Sequence, residues 1–420
     1  MEQITLSNGF RICLERREYL KSCAVGLYIG SGARFETPQT LGVSHFIEHM
    51  LFKGTETLST RRIAEINDDT GGSLNAYTAK EFTCLYARVL TCHVRQIFSV
   101  IADMTLHPAL REAELETEKG VILEERSSYE DSPEDLCMDS FYESFWPNDL
   151  LGQNIVGTRE SIAGMTSDVI RAHMKQYYVP ERMVAVFSGA FERSEALALC
   201  EEYFGALQNT NNPLRYSVPE TAVFVRGLRR DLQQNVLTLG LPGLPLEDPR
   251  IHALTYACAI LGGAGSSRLF QRIREEMGLV YSIDAFHTAF LGTGCVCISM
   301  ALSAEHERDA LLKTLALCRG FADTVTEDEL ERAKMQTLSA VTMALESPAS
   351  SASRIGRNVL LRGKVLPEDA LLETLRSVTL DEVRDTAHEF LRPDSFSLCA
   401  VGKIKSDKQY RSILRSDSEV

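Results

Sequence analysis

Residues 44–55 read SHFIEHMLFKGT, and the five at the centre, His45-Phe46-Ile47-Glu48-His49, decide how the rest of the chain is read. Positions i and i+4 share one face of an α-helix, so a helix here brings both imidazoles to a single ion. Glu48, three residues after His45, falls on the same side, where a carboxylate takes a proton from a metal-activated water. The order is H-x-x-E-H, the reverse of the H-E-x-x-H peptidase motif. Two imidazoles, one carboxylate and an open fourth position suit zinc, whose charge lowers the pKa of the water it activates. The competing reading is a buried helix with incidental polar residues. That reading is costly, because Phe46, Ile47, Met50 and Leu51 make the segment apolar, and unpaired polar groups in such a setting are expensive.

A third ligand has to come from elsewhere. The segment ELETEKGVILEERSSYED at 114–131 offers Glu118, Glu124 and Glu125. Glu118 and Glu125 are seven residues apart, two helical turns, and so share a face. One can bind the metal while the other orients a ligand or the water. Taken singly, each glutamate reads as solvated surface.

Outward from the motif, the pattern predicts a helix over 41–53 and a turn at Lys53-Gly54-Thr55. Thr60 is expected to cap a second helix that ends before Gly71-Gly72. The N-terminal stretch MEQITLSNGFRICLERREYL reads as strand, Asn-Gly turn and strand, with no cleavable leader pattern. AVGLYIGSGAR at 24–34 reads as a buried strand, and SLNAYTAKEFTCLYARVL at 73–90 has strand composition. Helices are expected over 92–106 and 111–130. The polar, Pro- and Asn-rich stretch at 207–220 reads as a linker at the midpoint. Beyond it the order recurs, with strands over 221–240, helices from 249 and near 267–277, strands over 279–303 and further helices. The expected fold class is α+β, built as two homologous α/β-sandwich halves, each a mixed or antiparallel sheet packed by helices. The first, 1–210, carries the metal motif; the second spans 220–420.

Composition narrows the function. The chain has 420 residues, a net charge of -14 and 44% hydrophobic content. No basic stripe exists to neutralise phosphates, which argues against nucleic acid. An acidic cavity suits basic peptides, although acidity for solubility alone explains the charge equally well. No apolar run reaches the length of about 18 residues that a membrane span needs. The 11 cysteines are odd in number and contain no CxxC pair. Cys295 and Cys297 would share one strand face, poor geometry for a disulfide or a zinc site. Buried free thiols and a cytoplasmic location are the expectation.

With these residues in view, the chain resembles the insulinase/pitrilysin metallopeptidases, in particular the mitochondrial processing peptidase branch and its bacterial relatives. HFIEHMLFKGT is similar to that family's signature almost throughout, and the resemblance spans nearly the whole chain. It implies one zinc per chain, held by His45, His49 and Glu125, with Glu48 as general base and Glu118 in support. It implies that the strand in GGSLNAYTAKEF binds substrate by strand addition, Asn75 and Ala76 supplying main-chain contacts. SSRLFQRIREEMGLVYSI resembles the element whose arginine and tyrosine, here Arg274 and Tyr281, hold substrate and stabilise an oxyanion. Asp135 and Asp139 match positions that accept a basic side chain near the cleavage site, against an equally weighted reading as solvated helix face. The implied assembly is a clamshell dimer enclosing a chamber, most simply a homodimer in which Arg274 and Tyr281 serve the partner's zinc, with a heterodimer left open. The activity expected is a zinc-dependent endopeptidase acting on peptides or unfolded extensions. The alternatives are a non-catalytic peptide-binding subunit and a maturation protease dedicated to one leader peptide.

Overall fold

The computed structural model describes residues 1–392 and 395–415. The chain forms two compact units, each with its own sheet. Unit one comprises 1–126, 153–215 and 341–368; unit two comprises 127–152, 216–340 and 369–420. Each unit thus keeps most of one expected span and takes a helical segment from the other. The helix Pro133–Phe145 belongs to unit two, and the helix Pro348–Arg362 to unit one. Both open the same way, with a serine N-cap (Ser132, Ser347) and proline in the first turn, where a missing N–H costs nothing.

In unit one the strands are β1 (Glu2–Thr5), β2 (Arg11–Arg16), β3 (Ser22–Ile29), β4 (Ser73–Thr78), β5 (Thr83–Leu90) and β6 (Met183–Gly189), ordered β1-β2-β6-β3-β5-β4. Only β2 and β6 run parallel. Cys23, Val25, Leu27 and Ile29 alternate along β3 into the main core, which also receives the apolar face of the helix Val43–Leu51. The opposite face is covered closely by the helix Pro348–Arg362: a Cβ on Gly356 would lie 2.2 Å from the Tyr28 ring.

Unit two has β7 (Val225–Arg229), β8 (Asn235–Gly243), β9 (Ser282–Phe290), β10 (Thr293–Leu302) and β11 (Ser397–Gly402), ordered β7-β11-β8-β10-β9. Strand for strand this repeats β2-β6-β3-β5-β4, including the single parallel pair, β7 with β11. The repeated connectivity is the structural counterpart of the two homologous halves. Phe141, from the helix Pro133–Phe145, packs where Gly240 of β8 leaves room; a Cβ there would stand 2.0 Å from the ring.

Several local expectations shift. The cap of the second helix is Ser59, not Thr60: the Ser59 hydroxyl accepts the Arg62 N–H at 3.2 Å, and Thr60 is the first helical residue. Both residue types cap well, so the sequence alone leaves a one-residue ambiguity. The stretch 71–90 is a hairpin, broken at 79–82 where the Ala79 N–H reaches back to the Phe82 carbonyl at 2.8 Å. The element near 267–277 includes a π-helical stretch, Phe270–Glu276. All eleven cysteines are free and only Cys92 is exposed. Among the described residues no helix is long and apolar enough to cross a membrane.

Candidate metal centre

The helix Val43–Leu51 starts from an unusual cap. Its N-cap residue, Gly42, has φ of 84° and no side chain to satisfy the first amides. Glu36 supplies that cap from six residues upstream: the Gly42 N–H donates to Oε2 at 2.7 Å and the Ser44 N–H to Oε1 at 2.9 Å. Burial pushes the Glu36 carboxyl up to about 7, against the pull of the two amides and of Lys80. Glycine is required at the cap for space as well as for φ, since a Cβ on Gly42 would lie 2.2 Å from the Val156 carbonyl oxygen.

Val43, Phe46, Ile47, Met50 and Leu51 bury the core side of this helix. The other side carries His45 and His49, one turn apart, with ring centroids at 4.6 Å. Glu125 arrives from the helix Glu112–Asp131. Its Oε2 stands 3.6 Å from His45 Nε2 and 3.4 Å from His49 Nε2, and the three groups offer ligand atoms all within 4.8 Å of one another. Ligand atoms about 2.0–2.1 Å from a tetrahedral ion lie about 3.3–3.4 Å apart, so the His49–Glu125 edge of 3.4 Å matches zinc and the His45–Glu125 edge of 3.6 Å is slightly wider. Burial, helped by the neighbouring His49, lowers the His45 pKa to about 4, which keeps that imidazole neutral and able to coordinate.

Around these three groups sit carboxylates with distinct contacts. Glu118, two turns before Glu125 and buried, accepts from His49 Nδ1 at 2.8 Å through Oε1 and pairs with Lys53 Nζ at 2.7 Å through Oε2. That leaves Nε2 of His49 to face the metal position, the usual arrangement for a carboxylate behind a ligating imidazole. His45 has no such partner on Nδ1 among the described residues. Glu48 points along the same face, and its Oε2 accepts the Thr78 hydroxyl at 2.6 Å. Burial raises the Glu48 pKa; the Thr78 hydrogen bond opposes that rise. The register of the glutamate helix is fixed next to its ligand, because the Arg126 guanidinium donates to the Gly157 carbonyl, and Gly157 packs against Gly42.

Asn75 and Ala76 lie on β4, which among the described residues pairs only with β5 and forms the edge of the sheet beside this helix. Along that edge, the Leu74 N–H donates to Asn67 Oδ1 at 2.8 Å and the Ala76 N–H to Asn75 Oδ1 at 2.9 Å. Four further candidates belong to unit two. The Arg274 guanidinium lies 4.5 Å from the Phe270 ring centroid, and Tyr281 is 70% exposed while its N–H donates to the Ala301 carbonyl at 2.8 Å. Asp135 and Asp139 occupy the helix Pro133–Phe145, where the Asp135 N–H donates to the Ser132 cap. The constellation in unit one is therefore His45, Glu48, His49, Glu118 and Glu125. Three residues that the sequence reading missed support it: Glu36, Lys53 and Thr78.

The model of the insulinase family, peptidase family M16, matches residues 11–159, and that of the peptidase M16 inactive domain matches residues 164–337. An uncharacterized zinc protease of Bacillus subtilis is 37% identical over 94% of this chain and 96% of its own length. The chain belongs to the insulinase family, M16. An uncharacterized zinc protease of Streptomyces coelicolor is 33% identical over 97% of this chain and 91% of its own length. Among solved structures, a Helicobacter pylori protease superposes with a TM-score of 0.87 at 18% identity, covering 96% of this chain and 99% of that one. A peptidase M16 inactive domain from Pseudomonas fluorescens gives 0.89 at 19% identity, over 97% and 99%. The histidine motif, Glu118 and Glu125 all fall in the first matched region of this M16 chain, while Arg274 and Tyr281 fall in the second.

Proposed function

We propose that this chain is a zinc-dependent endopeptidase. The observation that carries the reading is the convergence of His45 Nε2, His49 Nε2 and Glu125 Oε2 at tetrahedral spacing, with Glu48 on the same helix face. Bound there, one zinc per chain supplies Lewis acidity and activates water. Glu48 takes the proton and returns it to the leaving amine, a role that suits a carboxylate whose pKa is raised by burial. Glu118 holds the His49 ring. The free edge of β4 supports an extended peptide as substrate, read through its main chain at Asn75 and Ala76. The same reading gives Arg274 and Tyr281 the holding of substrate and oxyanion, and Asp135 and Asp139 a preference for basic side chains. It also takes a cytoplasmic homodimer enclosing a chamber as the assembly. Its test is hydrolysis of a mixed peptide library, with and without a chelator and with zinc restored. Cleavage that chelation abolishes and zinc rescues is expected, and Glu48→Gln should keep its zinc and lose turnover. Full activity in Glu48→Gln, or no zinc in the purified chain, would sink the assignment.

A further inference from the structure

We propose that Thr78 is a positioning residue for Glu48, aiming that carboxylate from the strand that receives the peptide; the proposal rests on the zinc-peptidase reading above. Thr78 closes β4, opposite Thr83 of β5. Its hydroxyl has two acceptors in reach, Glu48 Oε2 at 2.6 Å and the Ser44 carbonyl at 3.5 Å. A hydroxyl has one proton to give, and the shorter, charged partner takes it. The Thr78 backbone N–H also bonds this carboxylate, so the end of β4 holds Glu48 through main chain and hydroxyl together, and the hydroxyl's share, with Oε2 anchored, restrains rotation of the carboxylate about its terminal bond.

The anchor is tied to the substrate strand by strand periodicity. Side chains two apart on β4 share a face, so Thr78 and Ala76 point the same way, and Ala76 belongs to the core that holds the histidine helix. Tyr77, between them, turns to the other face, against Phe82 and Tyr86. Ala76 is also where the edge offers its main chain, its N–H held by the adjacent Asn75 side chain. A peptide adding to that edge displaces the Asn75 oxygen and fixes the backbone two residues from the hydroxyl that aims Glu48. The base is thus aimed before the peptide arrives, by the same strand that receives it, the kind of preorganisation that appears in kcat and not in KM.

The experiment compares Thr78→Val, which keeps the shape and removes the hydroxyl, with Thr78→Ser, which keeps the hydroxyl. In Thr78→Val, kcat for a peptide substrate should fall about ten- to a hundredfold, the loss typical of one hydrogen bond to a charged group, with KM and zinc content unchanged. Thr78→Ser should recover most of kcat. In a Glu48→Gln background, adding Thr78→Val should leave the affinity for a fluorescently labelled peptide unchanged. Wild-type kcat in Thr78→Val overturns the proposal, as does a Thr78→Ser variant as impaired as Thr78→Val, or loss of zinc in Thr78→Val. A wild-type chain with no zinc-dependent hydrolysis overturns the peptidase reading, and the positioning role with it.

Discussion

Glu118 offers the sharpest test of the proposed metal centre. With Nε2 of His49 turned toward Glu125, Nδ1 carries the proton and donates it to Glu118 at 2.8 Å. Glu118 is nearly inaccessible, so this is a charge-assisted hydrogen bond in a low-dielectric setting, not a surface contact. Glu118→Ala removes the group that fixes both the tautomer and the ring plane. Such losses weaken metal binding by about 10- to 100-fold, which is about 1.4–2.7 kcal/mol. The fold should tolerate the change, because Lys53, the other partner, is 32% exposed and can turn to water. Glu118→Gln should fall between: its amide oxygen still accepts from Nδ1, while its NH2 meets the Lys53 ammonium donor against donor. The assay is competition for zinc with a chromophoric chelator, followed by peptide hydrolysis at saturating zinc. The expected order of affinity is wild type, Gln, then Ala, with hydrolysis partly restored once zinc is saturating. Equal zinc affinity in wild type and Glu118→Ala would refute the argument that this carboxylate holds the ligand.

Two further predictions concern the frame around the site. His173 is buried and shares a hydrogen bond of 2.8 Å with Ser31; burial first, then the Arg182 charge, lowers its pKa from 6.5 to about 3. Because the unfolded chain binds this proton first, stability should fall as pH drops from about 6.5 toward 3, by about 2 kcal/mol at pH 5. Chemical denaturation of wild type and His173→Gln at pH 7 and pH 5 should show their stability gap narrowing at the lower pH; a constant gap would rule this out. Arg34 and Glu81, both buried, pair at 2.6 Å beside the hairpin turn at 79–82. Glu81→Ala takes the carboxylate from a buried guanidinium and should cost about 3–5 kcal/mol, whereas an Arg34→Met, Glu81→Leu double variant should recover much of it. A double variant no more stable than Glu81→Ala would refute the desolvation argument.

How much of this centre was legible in the sequence depended on how costly each residue is in its local context. His45, Glu48 and His49 stood out because a helix whose other positions are Phe46, Ile47, Met50 and Leu51 has no bland reason to hold them, and helical periodicity alone puts them on one face. Glu118 and Glu125 were visible as a pair for the same geometric reason, but spacing could not say which of them stands against both imidazole Nε2 atoms; that needed the distances to His45 and His49. Glu36, Lys53 and Thr78 carried no comparable signal. A glutamate in a loop, a lysine after a helix and a threonine at a strand end are ordinary residues in ordinary places. What makes each of them matter is a contact made through the fold: Glu36 with the amides of Gly42 and Ser44, Lys53 with Glu118, Thr78 with Glu48. The exchanged helices follow the same logic. The Ser-Pro starts at 132 and 347 mark where a helix begins, yet nothing in a helix's own pattern names the sheet it will cover. The two histidines and Glu48 violate local rules and can be read locally; the residues that support them obey local rules and become visible only once the chain has folded.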